Sequence, residues 1–382
     1  MKQNNEIKKN ISLFKPNMGL EEVEAVKKVL LSGWIGLGPK TEEFEKEFAK
    51  YTGAKYAVAL NSCTSALHLA IKVAGIKKGD EVITTPLTFA ASAEAILYNE
   101  ATPVFADINE ETLNIDPISV EKKITKKTKA ILVVHYGGQP VELSEIQKIA
   151  DKHNLIVIED AAHACGASYN GKKIGSGENL TCFSFHAVKN LAAGDGGMIT
   201  TNDSNIDREL RLLRWMGIDK STHQRTKPGE YLWDYSIGPN GGYKYHMNDI
   251  NAAIALVQLG KLDSGNKIRK DIAAIYDKAF KSIDGITPLR ILGNRESSYH
   301  IYCIKINNIN RQELMGYLSE NGISTGVHYK PLYHHPRYAP YWHQDTPVVE
   351  KIWPNILSLP NHPGVTKEEV YTIARTIIDF KS

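Results

Sequence analysis

The sequence predicts an α/β protein whose core is a mostly parallel sheet covered by helices on both faces. Three observations predict it. Between residues 56 and 159, short apolar runs alternate with segments of helical periodicity. The strand-like runs are almost uninterrupted in apolar residues, the pattern of strands buried on both faces. The chain has 382 residues, enough for two domains, and the strand–helix rhythm gives way near residue 260.

The first helix is expected over 20–31, with Val23, Val26, Val29 and Leu30 at helical spacing, and Gly33 ends it as a C-cap glycine does. A second, 41–51, stops at Gly53. Strand 56–60, helix 64–73, strand 81–85, helix 88–98 and short strand 103–106 follow. Next come strand 130–135, helix 143–153 and strand 155–159. Between 182 and 201 two strand-like runs flank a glycine-rich turn, and a helix follows at 206–215. The stretch 217–245 is irregular and rich in Gly, Pro and aromatic residues; loops of that length are usually functional or partner-facing. Helix 248–262 leads into a last third with helices near 270–283, 311–321 and 367–380 and a strand near 300–306. The division is placed near residue 260, giving a large domain, 1–260, and a smaller C-terminal α+β domain, 261–382.

Hydrophobic residues make up 42% of the chain and charged residues 23%, with a net charge of +3. That is the balance of an ordinary soluble enzyme. No long block of like charge is present, so nothing points to nucleic acid or a membrane as partner. The densest basic stretch, 122–129, alternates with Thr and reads as a solvated helix end and turn. The first ten residues are polar, unlike a signal peptide, and no run approaches the ~18 apolar residues of a membrane span. Cys63, Cys165, Cys182 and Cys303 are scattered without paired metal spacing. They read as free thiols of a cytoplasmic protein.

In open α/β sheets, ligands bind beyond the carboxyl ends of the strands, so the residues that follow each strand carry the functional reading. After 56–60 comes Asn61-Ser62-Cys63-Thr64-Ser65 and then a helix. Free amides and the positive end of a helix dipole make such a start a phosphate site, although Ser and Thr also cap helices that bind nothing. After 155–158 comes Glu159-Asp160-Ala161-Ala162-His163. A buried acid needs a partner, and a protonated pyridine ring is one; a helix cap or an ion pair is the plainer alternative. After the strand near 182–185, Lys189 lies on an irregular segment before Gly194-Asp195-Gly196-Gly197. A lysine so placed can form a Schiff base with an aldehyde cofactor once its pKa is lowered, whereas most lysines are only surface charges. The series raises the reading above its parts: phosphate-type helix start, buried acid, lysine, each after a successive strand.

Other motifs carry less. Gly166-Ala167-Ser168-Tyr169-Asn170-Gly171-Lys172 mimics a phosphate loop, but Lys173 follows where Ser or Thr is needed, so a hairpin turn is expected. Gly33, Gly36 and Gly38 follow a helix rather than a strand and do not fit the dinucleotide pattern. His328, His334, His335 and His343 lack tight ligand spacing, and an aromatic-lined polar loop is expected there rather than a metal.

Taken in order, Ser32-Gly33-Trp34, Gly36-Leu37-Gly38-Pro39, Phe44-Glu45, Gly79-Asp80-Glu81-Val82, Thr88-Phe89, Glu159-Asp160-Ala161-Ala162-His163, Ser184-Phe185-His186, Lys189, Gly196-Gly197 and the stretch 243–247 cover nearly the whole chain. This series resembles the DegT/DnrJ/EryC1/StrS sugar aminotransferases, which have the type I fold of pyridoxal-5′-phosphate (PLP)-dependent transferases. The resemblance implies Lys189 as the catalytic, cofactor-bearing lysine and Asp160 as partner of the pyridinium nitrogen. It implies His163 near the ring oxygen, Phe89 stacked on the ring, and Cys63, Thr64 and Ser184 at the phosphate. It implies a homodimer with a shared site, into which 243–247 reaches from the other copy, Lys244 meeting the phosphate as a point charge. Trp34, the stretch 217–245 and the segment 328–341, with His328 foremost, would select the substrate. The implied reaction moves an amine from glutamate, through the pyridoxamine (PMP) form of the cofactor, to a keto sugar, nucleotide-linked, in amino-sugar or surface-polysaccharide synthesis.

Cys63 stands where the family usually has Gly, Asp195 where it has Glu, and Lys244 and His246 where Asn-x-Arg is common. His246 would make the charge there pH-dependent. A related dehydratase carries His at the lysine position, which Lys189 opposes. A keto cyclitol or small phosphorylated ketone remains an alternative acceptor. A non-catalytic regulator would want a DNA-binding module and a basic face, which the sequence does not offer.

Overall fold

The computed structural model describes residues 10–227, 230–343 and 345–381. The first nine residues of the polar N-terminus and residues 228–229 of the 217–245 stretch lie outside them.

Helix α1 (Leu20–Ser32) ends on Gly33 at φ 75°, the left-handed cap its position predicts. Helix α2 (Pro39–Thr52) follows, with proline in its first turn. The central sheet holds β1 (Tyr56–Leu60), β2 (Glu81–Thr84), β3 (Thr102–Phe105), β4 (Thr128–Val134), β5 (Ile156–Asp160), β6 (Leu180–Ser184) and β7 (Gly197–Thr201) in the order β1-β7-β6-β5-β4-β2-β3. The pairs among β2 to β6 are parallel. β7 runs antiparallel to both β1 and β6, because it returns directly from β6 without a crossover helix. The helices are α3 (Cys63–Val73), α4 (Ala90–Tyr98), α5 (Pro117–Lys122), α6 (Leu143–His153) and α7 (Ser204–Leu213).

Alternate residues of the strands enter opposite cores. Val58, Leu60, Leu132, Ile158 and Ile199 pack with Leu67 and Ile71 of α3 and Leu210 of α7. Ala57, Ala59, Phe183 and Met198 meet Phe44 and Phe48 of α2, while Ile131, Val133 and Val157 meet Ile146 of α6. Each strand is therefore apolar on both faces, the property that revealed it in the sequence. The motif at 166–173 is the expected hairpin. Ser168–Tyr169 pairs with Lys172–Lys173 around Asn170 and Gly171, both at positive φ.

Helix α8 (Asp249–Phe280) is a continuous 32 residues. The two helices expected at 248–262 and 270–283 are one, and residue 260 falls inside it. The Asp263-Ser264-Gly265-Asn266 run is poor in helix formers, but Gly265 is buried where a side chain would meet Arg269 and Pro363, so packing overrides propensity. The second half of α8, with α9 (Arg311–Glu320) and α11 (Lys367–Lys381), covers a three-stranded antiparallel sheet of β8 (Ile286–Pro288), β9 (Tyr302–Ile306) and β10 (Ile356–Leu359). Helix α10 (Pro347–Ile352) precedes β10.

Two buried carboxylates lock α2 in place. Glu45 accepts from Arg211, from Arg214 and from the Ala59 amide of β1. Asp249, the first residue of α8, accepts from the amides of Gly38, Lys40 and Thr41 and from the Thr41 hydroxyl, capping α2 from another helix.

Candidate active site

Beyond the carboxyl ends of β1, β5 and β6 lies a cavity of about 330 Å³. One wall is the N-terminus of α3. Ser62 caps it by accepting from Ser65 N at 3.1 Å. The amides of Cys63 and Thr64 are the first two of the helix and have no helical carbonyl to bond. Both residues line the cavity, and so does Ser184, the last residue of β6. Amides at a positive helix end beside a hydroxyl make an anion cradle. β7 passes close behind it: a side chain on Gly197 would collide with the Ser62 carbonyl and the Cys63 amide, so only glycine permits the approach.

Asp160 closes β5. Its Oδ1 accepts from Ala162 N at 3.1 Å and its Oδ2 from the Ser92 hydroxyl at 2.8 Å; Ser92 is in turn 2.9 Å from the Thr88 hydroxyl. Burial raises its pKa against these bonds and the opposing charge of Lys189. A cationic N–H donor in the cavity would relieve that cost. Glu159, one residue earlier, points to the other face, where His135 Nε2 and Asn179 hold it at 2.9 Å each. The Val141 amide binds His135 Nδ1, which leaves Nε2 as the proton-bearing nitrogen toward Glu159.

His163 lies 3.0 Å by its Nε2 from the Tyr329 hydroxyl, and its Nδ1 is buried with no partner among the described residues. Burial, then the charge of Lys189, holds its pKa well below the usual histidine value. Lys189 projects into the same cavity, its Nζ 3.4 Å from His300 Nε2. Burial lowers its pKa to about 8, with Asp160 opposing. Phe89, just before α4, stands at the mouth and is 64% exposed, leaving an apolar ring face open to the cavity. His328 lines the opposite side, its Nδ1 held by the Ser358 hydroxyl at 2.8 Å; burial lowers its pKa to about 4.

Of the residues singled out in the sequence, Cys63, Thr64, Phe89, Asp160, His163, Ser184, Lys189 and His328 meet in this cavity. Trp34 and Lys244 do not. They line a separate hollow of about 340 Å³ with Trp215 and His246. Two backbone bonds fix the segment there: Asn61 N to the Tyr245 carbonyl at 2.7 Å, and Tyr245 N to the Arg214 carbonyl at 3.0 Å. The Lys244 ammonium rests 4.0 Å over the Trp215 ring. Within one chain neither residue reaches the cavity. Nor is His246 a charge switch near neutral pH, because burial lowers its pKa to about 4. His300, Ser92 and Phe14 also belong to or support the cavity and were not anticipated, while Tyr329 enters it from the segment 328–341 expected to meet the substrate. Ser92, one helical turn after Thr88 and hydrogen-bonded to it, had a signal in that spacing. His300 and Phe14 come from distant chain segments that no local pattern ties to Lys189.

The donor set suits PLP: an anion cradle, a carboxylate for a ring N–H, an unpartnered histidine nitrogen for a ring oxygen, and an amine for an aldehyde.

Comparison with known proteins points to the same cofactor chemistry. Residues 16–378 match the DegT/DnrJ/EryC1/StrS aminotransferase family. The spore coat polysaccharide biosynthesis protein SpsC of Bacillus subtilis is 42% identical over 373 residues, 96% of this chain and 95% of that one. Among solved structures, Spr1654 of Streptococcus pneumoniae is 32% identical with a TM-score of 0.90. The match spans 97% of this chain and 99% of that one in its PLP form, and 97% and 100% in its PMP form. PseC of Helicobacter pylori, an aminotransferase involved in pseudoaminic acid biosynthesis, is 32% identical with a TM-score of 0.88, spanning 97% and 99%.

Proposed function

The chain belongs to the DegT/DnrJ/EryC1/StrS aminotransferase family and is a PLP-dependent aminotransferase whose cofactor passes through the PMP form; from this premise we propose that it moves an amino group from glutamate to a nucleotide-linked keto sugar in polysaccharide synthesis. The observation that carries the chemistry is the meeting of Lys189, Asp160 and the α3 N-terminus in one cavity. The sugar acceptor is supported by what SpsC and PseC are named for.

When bound, PLP supplies an aldehyde for the amine and a protonated ring that withdraws electrons from the reacting carbon. The protein's share is holding and proton movement. Cys63 and Thr64 amides and the Ser184 hydroxyl would hold the phosphate, and Asp160 would keep the ring nitrogen protonated. His163 would serve the ring oxygen, and Phe89 would cover a ring face. Lys189 Nζ would hold the aldehyde in the resting protein. When free, Nζ would be the base that holds and moves a proton at the reacting position, which a pKa of about 8 permits near neutral pH. His328 at the mouth contacts the sugar. Trp34 and Lys244 complete the site in a homodimer, where the hollow they line faces the cavity of the second copy, Lys244 at the phosphate and Trp34 at the substrate. In this reading residues 1–260 carry the cofactor and 261–382 close over it.

The test has two parts. Borohydride reduction of the yellow protein, followed by peptide mapping, places the cofactor on Lys189. Incubation with 15N-glutamate and separate nucleotide-linked keto sugars, free keto sugars and keto cyclitols then identifies the acceptor. Label appearing only in a cyclitol would overturn the sugar assignment.

A further inference from the structure

The Lys189 amine is held by a chain of groups that begins three side chains away. His300, 3% exposed, stands before β9. Its Nε2 lies 3.4 Å from Lys189 Nζ, and its Nδ1 lies 3.0 Å from Asn190 Oδ1. Which of these atoms donate is decided farther out. Asn190 Nδ2 meets two oxygens, the Ser298 main-chain carbonyl at 2.8 Å and Asn266 Oδ1 at 2.7 Å. Asn266, in the middle of α8, turns its own Nδ2 to the Cys165 carbonyl at 3.0 Å. A main-chain carbonyl can only accept, so each carbonyl fixes which end of its asparagine is the amide nitrogen. Asn190 therefore shows its oxygen to His300. The ring proton must sit on Nδ1, and Nε2 faces Lys189 as a lone pair.

The doubly protonated ring is disfavoured. His300 is buried and surrounded by Lys189 of its neighbouring loop, His163 beyond β5, Arg269 of α8 and His328, all of which oppose added positive charge. Phe14 stacks on its face.

We propose that His300 is a positioning residue that holds the Lys189 amine whenever that amine is not bonded to the cofactor, with Asn190 and Asn266 keeping the ring in the accepting tautomer. The proposal deepens the reading of Lys189 as the cofactor lysine and rests on it. A released lysine is long and freely rotating, and one tethered N–H keeps it at the reacting position between its two uses. An acceptor also favours ammonium over amine, so His300 raises the Nζ pKa against burial.

The test uses the full-length protein freed of cofactor and reads no turnover. A short pulse of acetic anhydride across pH 6.5–10, with acetylation at Lys189 read by peptide mass spectrometry, gives the midpoint of the amine, expected near about 8. His300→Phe removes the acceptor and lowers the midpoint by roughly half a pH unit or more, a threefold or greater loss of proton affinity. Asn190→Leu releases the tautomer and lowers it too, although Asn190 makes no bond to Nζ. His300→Gln offers an amide oxygen and restores it. A folded His300→Phe protein with an unmoved or raised midpoint overturns the proposal, and an unmoved midpoint in Asn190→Leu overturns the part assigned to Asn190 and Asn266. Should the phenylalanine variant not fold, the ring 15N shifts of His300 in the unaltered protein decide. A proton on Nδ1 supports the proposal and a proton on Nε2 alone overturns it. Failure to aminate any keto sugar would count against the proposed function and leave this result standing.

Discussion

Along β5 the side chains alternate, so Glu159 turns to His135 and Asn179 while Asp160 turns to the cavity. The two acids are adjacent in sequence, and only the period of the strand separates their uses. Replacing Asp160 with Asn keeps the size and the Ser92 contact but removes the charge opposite a ring N–H. Hydrogen bonds to charged groups contribute about 1.5–3 kcal/mol, so roughly 10- to 150-fold weaker PLP binding and a slower half-reaction are expected. Titration of the cofactor-free variant measures the first and stopped-flow absorbance the second. Lys189 sets the pH profile. Its pKa is lowered from 10.5 to about 8, so the neutral amine that can take a proton grows as pH rises through that value. The single-turnover rate with glutamate should climb from pH 6.5 to about 8.5 and level off; a rate falling over that range would exclude Nζ as the base. Lys189, Asp160, Cys63 and Thr64 were legible in the sequence because each follows a strand, where ligands collect. His300 was not, because nothing local links residue 300 to residue 189. Lys244 and Trp34 were legible only through resemblance, and the fold shows why: their place is a different hollow of the same chain.

At the scale of elements, the order of strands and helices through β5, apart from one short helix, could be read because those strands are apolar on both faces. The short pieces Pro117–Lys122, Ile286–Pro288 and Ile356–Leu359 escaped because a few residues carry too little periodicity. The break expected within α8 failed for the opposite reason, since packing around Gly265 holds a weak helical stretch. What binds these elements together is polar as well as apolar. Glu45 joins α2, β1 and α7; burial raises its pKa, but Arg214, Arg211 and the Ala59 amide together bring it below the usual carboxylate value. Glu45→Ala would strand Arg214 in the interior. Breaking a buried pair costs about 3–5 kcal/mol, so a loss of that order in urea unfolding is expected. A loss below 1 kcal/mol would show that the arginines find water or other partners.

At the scale of the molecule, large apolar side chains lie exposed on two segments. Leu20 and Leu31 of α1 are each 79% exposed, and Trp233 and Ile237 of the 217–245 stretch are 80% and 62% exposed. The proposed homodimer would give these side chains a surface to pack against. Light scattering should give twice the 42.5 kDa of one chain. Trp233→Asp with Ile237→Asp should shift the protein toward monomer and weaken PLP retention together; a stable active monomer would refute the shared site. Helix α8 has a further consequence. It touches the central sheet's core at Ala252 and Leu262 and the C-terminal sheet's core at Ile272 and Tyr276, with no hinge between. Neither core can melt without fraying the rod that the other grips. Despite the separate central and C-terminal sheets, the chain should denature as one cooperative unit, a single calorimetric peak whose van't Hoff and calorimetric enthalpies agree.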